Sequence, residues 1–164
     1  SYCLPKKTVD KKYLSAVMFK LCEKTGRRLR GLNLEAGQIA IGASYVNDGG
    51  SPSSPRFGSA GIGKSFKTAE KMFTTEEIAR PAVDFLEKAD LIGPVRLLAV
   101  SLGRLTPVSA QLNFFEDNPA KKELSRAIDK VNNKYGEYTI IRGAMFGLND
   151  QARDRIGFRK TVVI

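Results

Sequence analysis

The sequence predicts an α+β fold, a β-α-β-β-α-β two-layer sandwich in which two helices cover one face of a four-stranded sheet, with a C-terminal extension. Three observations point to it. A long segment with apolar residues at helical spacing lies between two short alternating ones, and the same arrangement recurs before residue 105. After Pro107 the pattern changes character.

SYCLP, Ser1 to Pro5, is a short apolar segment stopped by proline and reads as an edge strand. Asp10 can cap a helix on which Leu14, Val17, Met18, Leu21, Cys22 and Leu29 share one face and lysines and arginines hold the others; Gly31 ends it. In AGQIAIGASYV, residues 36–46, Ile39, Ile41, Ala43 and Tyr45 alternate as in a half-buried strand. Asn47 to Gly61 is turn chemistry throughout and reads as a long flexible loop. Ile62 to Ala69 can be a strand with Ile62, Lys64, Phe66 and Thr68 on one side. Thr74 or Thr75 then starts a helix whose stripe is Ile78, Ala82, Phe85, Leu86 and Ala89. Pro81 costs about 3 kcal/mol inside it, or marks a kink after a loose first turn. VRLLAVSLGRL, Val95 to Leu105, is the clearest strand.

These boundaries give a domain over residues 1–105, a linker over 106–117 and a helical, partly disordered tail over 118–164. In the tail Asn118-Pro119 opens a helix with Leu124, Ile128, Val131 and Tyr135 as its stripe. Such a helix must dock on something, and the expectation is that the stripe does so. Glu137 to Ile141 is expected to be a strand.

The formal charge is +10, with 27 basic and 17 acidic residues among 164, which calls for a polyanionic partner or leaves a solvated basic surface. The absence of histidine removes Ser-His-Asp and Cys-His catalysis and the usual zinc sites. Cys3 and Cys22 read as reduced thiols of a cytoplasmic protein, and no apolar run is long enough to span a bilayer. The Ser1-Tyr2 start suggests a piece of a longer chain.

Three local signals bear on function. Gly58 to Ser65 fits the Walker A pattern, but two prolines precede it where a buried strand should be and a poor core helix follows. It reads instead as a strand edge suited to phosphate. Basic residues also fall on strands, Lys64 and Lys67 on the third and Arg96 and Arg104 on the fourth, where an uncovered sheet face could grip a nucleic-acid backbone. No aromatic ladder interleaves them, so base stacking is not indicated. The third signal is Gln111-Leu112-Asn113-Phe114-Phe115, two adjacent rings in a polar linker, which either fold back on the core or bind a partner.

At SYCLP, LCEKTGRRLR (Leu21 to Arg30), PVRLLAVSLGRL (Pro94 to Leu105) and QLNFF the sequence resembles the C-terminal little-finger domain and clamp-binding tail of bacterial Y-family translesion DNA polymerases. Phe114 departs from the usual leucine of the clamp peptide. AIDKVNNKYGEYTIIRGA and DRIGF are similar to tails that follow this peptide in several members. The resemblance implies a domain tethered to a catalytic core, straddling template-primer duplex DNA with its sheet in the major groove. It assigns DNA contacts to Ser1, Lys6, Lys64, Ser65, Lys67 and Arg96, and sliding-clamp contacts to Gln111, Leu112, Phe114 and Phe115. The metal-binding carboxylates of such polymerases lie elsewhere, so this piece is expected to be no enzyme and to need no cofactor, magnesium serving the parent. A free-standing RNA-binding protein and a small P-loop protein are the competing readings.

Overall fold

The computed structural model describes residues 1–45, 61–108 and 119–146. Its elements follow the expected order: β1 (Tyr2–Thr8), α1 (Lys11–Gly31), β2 (Leu34–Tyr45), β3 (Gly61–Met72), α2 (Thr75–Lys88), β4 (Val95–Pro107) and α3 (Pro119–Tyr135), then a 3₁₀ turn at Gly143–Met145. β4 runs two residues past the boundary expected at 105, and Leu34 pairs with its last residue.

The sheet order is β1-β4-β2-β3, with every neighbouring pair antiparallel. β1 and β2 are therefore parallel with β4 between them, and β3 and β4 are parallel with β2 between them. Two β-α-β crossovers interleave, and both helices land on the same face. Asp10 starts α1 by accepting from the N–H groups of Lys12 and Tyr13 at 3.0 and 3.4 Å. Thr74 and Glu77 form a reciprocal capping box that starts α2, and the helix continues through Pro81 without a break.

Leu14, Val17, Met18 and Cys22 of α1 and Ile78, Ala82 and Leu86 of α2 close over Ile39, Ile41 and Ala43 of β2 and Leu98 of β4. None is more than 2% exposed, so water is excluded between the layers. Each large apolar side chain buried there contributes about 1.5–3 kcal/mol. Burial pushes the Cys22 thiol up to about 12, with Glu23 adding to it.

The C-terminal helix corrects the expectation about its stripe. α3 buries Ser125, Asp129 and Asn132, while Leu124 and Tyr135 remain 61% and 66% exposed. The reason is Arg30, near the end of α1, whose guanidinium is buried and needs acceptors. Its Nε and Nη2 donate to the Asp129 carboxylate at 2.5 and 2.9 Å, and its Nη1 donates to the Phe73 carbonyl and the Thr75 hydroxyl, each at 3.2 Å. Lys122 adds a 2.8 Å contact to buried Glu35. Pairing these charges outweighs burying the stripe, because an unpaired buried guanidinium is costlier than exposed leucine.

No strand forms over residues 137–141. No described strand lies alongside, and the Asn132 side chain takes the place of a ladder: its amide donates to the Ile140 carbonyl and its carbonyl oxygen accepts from the Ile140 N–H. Arg142 beyond it bonds buried Glu23 at 3.1 Å and also pairs with Glu76. Among the described residues no helix is long and apolar enough to cross a membrane.

Candidate nucleic-acid interface

Since directly paired residues of an antiparallel ladder share a face, the register shows what the uncovered side of the sheet presents. Four rows cross it. Cys3, Leu97, Ser44 and Gly61 form one; Ala99, Gly42 and Gly63 the next; then Ser101, Ala40 and Ser65; and last Gly103, Gln38 and Lys67. Alternation on β2 forces this, because Ile39, Ile41 and Ala43 turn to the helices and their neighbours turn away.

The surface is flat, small and free of acids. Four of these thirteen residues are glycines, only Gln38 and Lys67 reach far, and Gln38 is held by donating its amide to Ser65 Oγ at 2.7 Å. That bond fixes the amide plane beside the lysine. Gly61 is required at its edge, since a Cβ there would stand 2.8 Å from the Ala43 carbonyl oxygen. A polyanion could approach such a floor closely, meeting hydroxyls, an amide and one ammonium group.

The residues expected to contact DNA do not all share this face. Ser65 and Lys67 lie on it. Lys64 is a correction to the expectation of one common surface. It pairs with buried Ile41, so it projects on the helix side, where its Nζ is 5.1 Å from the centre of the Phe66 ring. Phe66 in turn meets Phe85 of α2 edge-on at 6.5 Å. Two lysines three positions apart on one strand cannot point the same way. Arg96 is exposed where the β2–β4 register shifts, and Lys6 is exposed in the irregular part of β1 between Cys3 and Thr8. Ser1 lines a groove beside α1.

Gln38 and Ser101 were missed by a search for basic residues. The period of two in AGQIAIGASYV and in VRLLAVSLGRL marks both as outward-facing. Gly61 to Ser65 is strand, and no helix begins at Lys64, so the backbone there does not wrap a phosphate as a P-loop does. Gly58 to Ala60 and the peptide Gln111, Leu112, Phe114 and Phe115 lie outside the described residues. Among the described residues no group of three or more Cys, Asp or Glu could hold a metal ion.

Comparison with known proteins gives concordant matches. A family model described as the impB/mucB/samB family C-terminal domain matches residues 3–114. The chain is 29% identical over 153 residues to DNA polymerase IV 2 of Halalkalibacterium halodurans, covering 93% of this chain and 36% of that protein. It is 28% identical over 148 residues to UvrX of Bacillus subtilis, a protein named for UV-damage repair, covering 88% and 33%. DNA polymerase IV 2 of Bacillus subtilis is 29% identical over 146 residues, with 88% and 33% covered. The chain thus spans about a third of the length of these relatives.

Proposed function

We propose that this chain, which belongs to the impB/mucB/samB family as a C-terminal domain of Y-family polymerase type, grips template-primer duplex DNA without regard to sequence through the open face of its sheet. The observation that carries the reading is the acid-free floor on which Gln38, Ser65 and Lys67 stand together. Hydroxyl, amide and ammonium donors suit phosphate oxygens, and nothing on the face offers a set of groups ordered to read base edges. In the parent, a translesion polymerase acting in DNA damage repair, catalysis and its magnesium belong to the part upstream. This domain supplies affinity and position.

The test is duplex binding measured against salt. Each neutralised phosphate contributes a slope near −0.9 in log K against log salt, so Lys67→Ala should reduce the slope by about one, equally for every sequence. Arg96→Ala at the strand irregularity is expected to act the same way. A sequence-dependent loss, or a slope that Lys67→Ala leaves alone, would falsify this assignment.

A second contact follows from the resemblance of QLNFF to clamp-binding peptides. Gln111, Leu112, Phe114 and Phe115 tether the domain to the bacterial sliding clamp, with modest affinity because a short segment must be ordered on binding. Phe114→Ala with Phe115→Ala should cost several kcal/mol, roughly 2–4, in a clamp titration and leave the melting temperature unchanged. Undiminished binding by the double variant, or its unfolding, removes the tether from the reading.

A further inference from the structure

β1 accompanies β4 over only the first part of its length. Tyr2 pairs with Leu98 and Cys3 with Leu97, which brings Ser1 opposite Ala99, and no described residue pairs with the same edge from Val100 onward. Such an edge offers an unpaired N–H and C=O on every second residue and is a template for another strand. Beside it α1 leaves a groove of about 260 Å³, walled by Leu21 and Leu29 of the helix, Leu32 just beyond its end, and Val100, Leu102 and Leu105 on the strand. Leu32 and Leu105 are 69% and 47% exposed, so apolar lining stands open to water. Ser1 also lines the groove.

We propose that the polypeptide preceding Ser1 in the parent protein continues β1 along β4 as an antiparallel strand and covers the groove. The proposal rests on the chain being the C-terminal part of a longer protein, which the family description and the one-third coverage of relatives support. Continuity of the ladder sets the register. Tyr2 opposes Leu98, so Ser1 opposes Ala99, and the first and third residues before Ser1 stand opposite Val100 and Leu102, on the helix side. The second and fourth stand opposite Ser101 and Gly103, on the open face, and widen the proposed DNA contact. The join to the upstream part is then a strand within the sheet, and the sheet governs the angle between the two.

The experiment compares amide hydrogen exchange, read by NMR, in this chain and in the chain extended by the residues its gene encodes immediately before Ser1. Alternate amides from Val100 to Leu105 should slow by about tenfold or more in the extended chain. Prolines at two consecutive positions of the extension should return them to their original rates, because one of the two removes a ladder N–H. Equal rates in the two chains overturn the proposal, as does slowing that survives the prolines. Neither outcome touches the salt slope for duplex binding, so the DNA reading fails or stands separately. A gene with nothing encoded before Ser1 overturns both this proposal and the parent reading.

Discussion

On β3, Phe66 turns inward to meet Phe85 of α2, while its neighbours Ser65 and Lys67 turn outward. The same division holds on β2, where Ile39 and Ile41 are buried against the helices and Gln38, Ala40 and Gly42 lie on the open side. One face carries large apolar side chains, the other mostly small residues with a few polar groups, and parity writes both into the same strands. The two faces therefore differ in what a substitution should disturb: stability on the covered side, contact with a partner on the open side.

The largest expected effect breaks the simple form of that contrast, because it concerns stability held by polar groups. Asp129→Ala leaves the Arg30 guanidinium buried without its bidentate partner, and should cost about 3–5 kcal/mol in urea unfolding. If the loss is below that of a surface substitution, α3 is not docked by this pair. Next comes Ile39→Ala on the covered face, expected to cost about 2–5 kcal/mol of stability while leaving the salt slope for duplex binding intact. Ser101→Ala, on the open side of the neighbouring strand, should stay within about 0.5 kcal/mol.

The two cysteines sharpen the contrast with the smallest perturbation. Cys3 is exposed and lies in the first row of the open face, whereas Cys22 is buried on the inward face of α1. An alkylating reagent at mildly alkaline pH should label Cys3 alone, because burial has moved the Cys22 thiol up to about 12. Saturating duplex should slow the labelling of Cys3. Labelling unaffected by duplex would place the DNA elsewhere. Unfolding lets Cys22 ionise in the ordinary thiol range, so its burial also makes stability fall as pH rises from that range toward 12.

The element order was legible from periodicity, since the apolar residues of α1, β2 and β4 recur at spacings that only helix and strand explain. Sheet order was not, because interleaved crossovers leave no mark in local spacing. The site was half legible. Lys67 and Ser65 could be named from charge and hydroxyl chemistry, but grouping Lys64 with them ignored strand parity. The face of α3 was unreadable for a different reason. Its apolar stripe obeys the usual rule for a docking helix, and only the distant Arg30 reveals that the opposite side is engaged.

The pairing of β2 with β4 also governs how this domain comes into being. Leu34 lies beside Pro107 and Ser44 beside Leu97, so the central ladder joins segments far apart in sequence. Such contacts are slow to form, because a long loop must close before any bond rewards it. During synthesis β1, α1, β2 and β3 leave the ribosome with their apolar sides uncovered, and they must wait for β4. Gln111 to Phe115 follows β4 directly, so the segment read as a tether emerges only as the domain it hangs from becomes able to fold.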